Sequence, residues 1–158
     1  PRQLSFDSSR YRTVNTLSIS VERVVGFFES LTPASLSDIA GIYADEARFK
    51  DPFNDVQGVG AIRAVFEHMF RTLDEPRFVV TRRVLDGRQC FLVWEFHFRF
   101  RSDRAGLSQV IHGGSYLQLG EDGRIEMHRD YWDAAEELYE KIPVLGALMR
   151  WLRRRAAG

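Results

Sequence analysis

The chain has 158 residues, 44% hydrophobic and 28% charged, enough for one globular domain that buries about two-thirds of its unfolded surface. Lysine plus arginine and aspartate plus glutamate number 22 each, so no global field draws the protein to nucleic acid or an acidic substrate, and any electrostatic function is local. The single cysteine, Cys90, excludes an internal disulfide framework and a cysteine-based metal site.

In chain order, residues 1–17 mix serines and arginines without sustained periodicity and read as a loose N-terminal arm. Val21, Val24, Val25, Phe28 and Leu31 then recur at helical spacing. Thr32-Pro33 offers a cap and first-turn proline for a second helix carrying Leu36, Ile39, Ala40 and Tyr43. Ala47 to Lys50 is a short strand that leaves through Asp51-Pro52, because proline removes a ladder donor and holds the residue before it extended. Gly58 and Gly60 precede a third helix, whose apolar face includes Ile62, Val65, Phe66, Met69 and Phe70.

After Pro76 the period changes to two. Phe78 to Leu85, an Asp86-Gly87 turn and Gln89 to Arg101 form a hairpin. In its long second strand Leu92, Trp94, Phe96, Phe98 and Phe100 face one way, while Glu95, His97, Arg99 and Arg101 face the other and suit a surface or a polar homodimer contact. The thiol of Cys90, inside the apolar run to Trp94, reads as a buried small hydrophobe. Two more strands complete a four-stranded antiparallel meander, Leu107 to Leu119 and Glu126 to Asp133. On the last, His128, Asp130 and Trp132 share one face.

Residues 18–135 therefore read as the folded domain and 136–158 as a C-terminal amphipathic basic helix. Ile142, Leu145, Met149 and Leu152 form its apolar stripe, with Arg150, Arg153, Arg154 and Arg155 toward its end. The expectation is a helix docked across a pocket mouth or a partner; the alternative is peripheral membrane contact through Ile142, Leu145, Trp151 and Arg153. No basic segment followed by an apolar core opens the chain, and no apolar run approaches the roughly 20 residues that span a bilayer. A soluble, cytoplasmic protein is expected.

The order of these elements, with Tyr43-Ala44-Asp45-Glu46-Ala47-Arg48-Phe49-Lys50-Asp51-Pro52, the glycine before the third helix, and Asp122-Gly123-Arg124-Ile125 leading to Asp130-Tyr131-Trp132-Asp133, resembles the nuclear transport factor 2-like superfamily. Within it, the SnoaL-like polyketide cyclases and ketosteroid isomerases look closest. The resemblance implies an α+β fold: a cone-shaped, bent antiparallel sheet wrapped around three helices, with a deep apolar pocket. It matches Asp51 to the general base of ketosteroid isomerases, but puts Phe27 and Ser115 where that enzyme has its tyrosine and acid oxyanion donors. Losing one preorganised donor costs about 2.7 to 4 kcal/mol in the transition state, so steroid isomerisation by that route is disfavoured. The resemblance also puts Trp94, Phe96, Phe98, Ser115, His128, Asp130 and Trp132 on the pocket side. Asp130 and His128 resemble in type and place the aspartate and histidine of SnoaL-like cyclases, and His112, whose predicted orientation is outward, is another candidate for the histidine. Limonene epoxide hydrolases share the fold, but their aspartate, arginine and aspartate cluster has no counterpart at Arg99-Phe100-Arg101.

Each candidate also has a plain structural reading. Asp51 is a base if apolar walls surround it, or a cap of the loop ahead of Pro52. His128 and Asp130 form an acid and base pair, or a satisfied polar pair in a core. Trp94, Phe96, Phe98 and Trp132, with Phe27, suit a flat apolar ligand. Asp133 reads as the cap of the last helix. No two histidines have helical ligand spacing, so neither metal nor cofactor is expected. The function expected is a cofactor-independent isomerase or cyclase working by proton transfer on a small hydrophobic carbonyl compound; the alternative is a non-catalytic module that binds a small hydrophobic ligand.

Overall fold

The computed structural model describes residues 8–102 and 106–134. Helix α1 (Ser8–Glu29) begins within the segment expected to be a loose arm. Its Val21, Val24, Val25 and Phe28 are all buried, as their spacing predicts. A seven-residue 3-10 helix (Ser35–Gly41) replaces the longer second helix expected. It ends at Gly41, and Tyr43, which the helical spacing assigned to it, instead opens strand β1 (Tyr43–Lys50).

Strand β2 (Asp55–Gln57), helix α2 (Val59–Thr72) and strands β3 (Leu73–Asp86), β4 (Gln89–Phe100), β5 (Ser108–Leu119) and β6 (Ile125–Tyr131) follow. Gly58, at φ +90°, turns the chain into α2 in a conformation that other residues rarely adopt. The loop between β3 and β4 is Gly87-Arg88, one residue later than expected, with Asp86 paired to Gln89. Pro76 lies inside β3, which is tolerated because β3 is an edge strand and its register with β4 shifts between Asp74 and Arg77.

One sheet holds all six strands in the order β2-β1-β6-β5-β4-β3. From β3 to β6 it is the antiparallel meander that the alternation predicts. The bent antiparallel sheet expected is present, and the structure adds that β1 runs parallel to β6, so the six-stranded sheet as a whole is mixed. The long connection between those strands, through α2 and the meander, is the kind of crossover that parallel pairing requires. The curved, unclosed sheet wraps around the three helices. Leu92, Trp94, Phe96 and Phe98 are buried on its concave face; Phe91 and Val93 are partly exposed on the other, where His97 Nε2 meets Glu95 Oε2 at 2.9 Å. Cys90 is buried as expected, and burial pushes its thiol up to about 11.

The C-terminal helix expected over 136–158, including Ile142, Leu145, Trp151 and Arg153, lies outside the described residues. Among the described residues no helix is long and apolar enough to cross a membrane.

Candidate active site

Strand register builds the site. Ser115 on β5 lies directly opposite Asp130 on β6, and Phe49 on β1 lies opposite His128. His128 and Asp130 are two positions apart on β6, so both side chains point to the concave face. There the His128 ring is enclosed by aromatic rings: Tyr43 stacks on it at 5.9 Å, and Phe49 and Phe28 meet it edge-on at 4.9 and 5.5 Å. On the adjoining stretch Trp94 faces Gly113, and the indole lies where a Cβ on Gly113 would be, 2.4 Å from its nearest ring atom. The glycine lets the indole lie flat against β5 and reach Ser115.

The hydrogen bonds of this cluster have forced directions. Burial, then the nearby Asp130 charge, raises the Tyr43 hydroxyl well above its ordinary range, so it stays a phenol and needs an acceptor. Its partner is Nδ1 of His128 at 2.6 Å. Nδ1 therefore accepts, and the ring proton sits on Nε2, 2.8 Å from Oδ1 of Asp130. Trp94 Nε1 only donates, to Ser115 Oγ at 2.8 Å, which commits the Ser115 hydroxyl proton to Asp130 Oδ1 at 2.5 Å. Two donors converge on Oδ1. Oδ2 makes no hydrogen bond among the described residues, and since none of their buried polar side-chain atoms lacks a partner, Oδ2 stays accessible.

Asp130 lines a cavity of about 580 Å³, within the usual range for small-molecule sites. One wall is an aromatic ladder from the meander: Phe78 stacks on Phe96 at 4.4 Å and Phe96 on Phe98 at 5.1 Å. Helix α2 supplies the facing wall with Val65, Phe66 and Met69. Trp94, Phe96, Phe98, Trp132 and Asp51 line this cavity with Asp130. Ser115 and His128 do not; they line a small chamber of about 30 Å³ behind it, which Asp130 and Trp94 also border. Phe27 is half-buried against the core and lines neither space.

Asp51 sits at the cavity wall but is engaged in its own turn. Oδ1 accepts from the backbone N–H groups of Phe53 and Asn54 at 2.7 and 2.6 Å, and the Asn54 amide reaches both oxygens at 3.0 Å. This Asx turn closes the β1–β2 loop and carries Phe53 edge-on to Trp132 at 5.5 Å. Among the described residues no group of three or more histidine, cysteine or carboxylate side chains is placed to hold a metal ion.

A family model for the SnoaL-like domain matches residues 24–128. The chain belongs to the SnoaL-like domain family. Solved structures with the same fold as this SnoaL-like domain include a protein assigned as a SnoaL-like polyketide cyclase from Jannaschia sp. CCS1, 16% identical, with a TM-score of 0.64 over 74% of this chain and 87% of that one. Another is an epoxide hydrolase of the limonene type from M. tuberculosis, 12% identical, with a TM-score of 0.63 over 87% and 91%. A third is a protein with a ketosteroid isomerase-like fold from Catenulispora acidiphila, solved with trimethylamine, at 12% identity and TM-score 0.63 over 75% and 88%. No curated protein matches the chain.

Tyr43 and His68 are among the polar residues of this SnoaL-like domain's site that the sequence does not single out. Tyr43 fits a helical spacing better than its actual place; the buried alternation of Ala47 and Phe49 is a strand signal, but exposed Asp45 breaks it before Tyr43. His68 lies on the flank of α2 away from the apolar stripe, yet lines the cavity.

Proposed function

We propose that this SnoaL-like domain is a cofactor-independent enzyme that moves a proton on a small, apolar carbonyl compound. Asp130 is the base: Oδ2 takes the proton from the carbon next to the carbonyl, the C–H electron pair moves into the carbonyl as an enolate, and the proton returns to carbon from Oδ2. His128 and Ser115 are positioning residues that hold Oδ1, and Tyr43 fixes the His128 tautomer. The observation that carries this reading is a carboxylate bordering an aromatic cavity, with one oxygen held by two donors and the other accessible and without a hydrogen bond among the described residues. Asp51, whose oxygens serve its own loop, shapes the cavity wall. Epoxide hydrolysis of the limonene type is less well supported, because no arginine among the described residues lines the cavity.

The aromatic wall equally favours a second reading, in which the cavity binds an apolar ligand without reaction. Deuterium exchange into 2-tetralone, a flat bicyclic ketone with acidic C–H groups, separates the two by proton NMR in D₂O. The enzyme reading expects the wild type to exceed buffer and Asp130→Asn to lose on the order of a hundredfold in rate. An Asn variant as fast as the wild type overturns Asp130 as the base; saturable binding without exchange supports the binding module.

A further inference from the structure

His68 belongs to a row on α2, Ala61, Ala64, His68 and Thr72, whose spacing of three or four residues puts them on one side of the helix, and all four line the cavity. The alanines leave room in front of the imidazole. Most polar side chains on the cavity wall are already engaged. Asp51 and Asn54 bond each other, the Thr72 hydroxyl donates to the backbone carbonyls of His68 and Met69, and Asp130 Oδ1 is held by its two donors. The groups that keep unused capacity among the described residues are Asp130 Oδ2, the Asn54 amide oxygen, the Trp132 indole N–H, and the His68 imidazole, which has no hydrogen bond, ion pair or ring contact from its side chain; of these, the indole and the imidazole can donate to a ligand's acceptor.

These groups differ in charge and depth. The Asp130 side chain is 15% exposed and borders the inner chamber, whereas His68 is exposed on α2. A carboxylate lies inside, and an imidazole able to donate a hydrogen bond or carry positive charge lies toward solvent. The rest of the lining is mainly aromatic and aliphatic, and its remaining polar side chains, Asp51, Asn54 and Thr72, are engaged in hydrogen bonds within the fold.

We infer that the cavity takes a ring-containing molecule with two polar points: the acidic C–H that faces Asp130, and a hydrogen-bond acceptor, carbonyl or carboxylate, that His68 holds toward the opening. The C–H end rests on the proton-transfer reading above; the His68 contact stands on the cavity alone. A ligand with an anionic group has one favoured orientation, because Asp130 repels that group from the inner end and His68 receives it at the outer one.

Calorimetric binding of 2-naphthoate and its uncharged counterpart 2-methylnaphthalene tests this. His68→Ala is expected to weaken 2-naphthoate about tenfold, the scale of one charge-assisted hydrogen bond, and to leave 2-methylnaphthalene unchanged, which also shows that the variant is folded. Equal weakening of both probes, or of neither, overturns the contact. Loss of 2-naphthoate affinity in Trp132→Phe with none in His68→Ala assigns the acceptor to the indole and overturns it too. Failure of the wild type to bind either probe overturns both this inference and the cavity reading, whereas normal probe binding without tetralone exchange defeats only the proton-transfer reading.

Discussion

Tyr43 is fully buried, and its hydroxyl has one partner among the described residues, Nδ1 of His128. Tyr43→Phe keeps the ring and removes the donor, leaving a buried acceptor unmatched; urea unfolding is expected to show a loss of about 1 to 3 kcal/mol. The neighbouring indole gives a second test. Any side chain on Gly113 must displace the Trp94 ring, so Gly113→Ala is expected to cost about 1 to 3 kcal/mol through overpacking and to shift tryptophan emission as Trp94 leaves Ser115. At this scale the sequence shows His128 and Asp130 as a pair because a period of two puts them on one face. It does not show what they touch: Ser115 opposite Asp130 and Phe49 opposite His128 follow from strand pairing between distant segments, and Tyr43 is masked by a helical spacing that ends at Gly41.

The β1–β2 hairpin shows how one motif serves two readings. Asp-Pro marks a strand exit in the sequence, and the structure puts Asp51 at the cavity wall, but its oxygens accept four hydrogen bonds from Phe53 and Asn54. Asp51→Ala is expected to free the loop, speed amide exchange at Phe53 and Asn54, and cost about 1 to 2 kcal/mol, while Asp51→Asn keeps an acceptor and costs less. Tetralone exchange abolished in Asp51→Asn with the loop intact would make Asp51 itself the base. The three-residue strand β2 is too short for periodicity to reveal. Its closure depends on exposed pairs: Arg48 and Lys50 both reach Asp55, and their hydrogen bonds hold its carboxyl well below the usual range.

Across the whole molecule, period-two alternation makes the four-strand meander and its aromatic concave face legible. The parallel β1–β6 pairing is not, because nothing local to either strand encodes its neighbour or direction. The buried interior also sets the alkaline limit of stability. Burial raises both the Cys90 thiol, from an ordinary 9.0, and the Tyr43 hydroxyl, from an ordinary 10.0, so the folded chain keeps protons that the unfolded chain releases. Their contribution is fully present below pH 9 and is lost as pH rises through 11 and beyond. Thermal unfolding is expected to show the midpoint falling steadily above pH 9, less steeply in Tyr43→Phe; an equal slope in both proteins would remove Tyr43 from this effect.

The hydrogen bonds around Asp130 run in one direction, from Tyr43 through His128 to Oδ1, and leave Oδ2 free for chemistry. Long-range ¹H–¹⁵N correlation spectra of the His128 ring read that direction most directly. The predicted result is a proton on Nε2 and an unprotonated, hydrogen-bonded Nδ1 that changes its shift in Tyr43→Phe. A proton on Nδ1, with Nε2 bare toward Asp130, would contradict it.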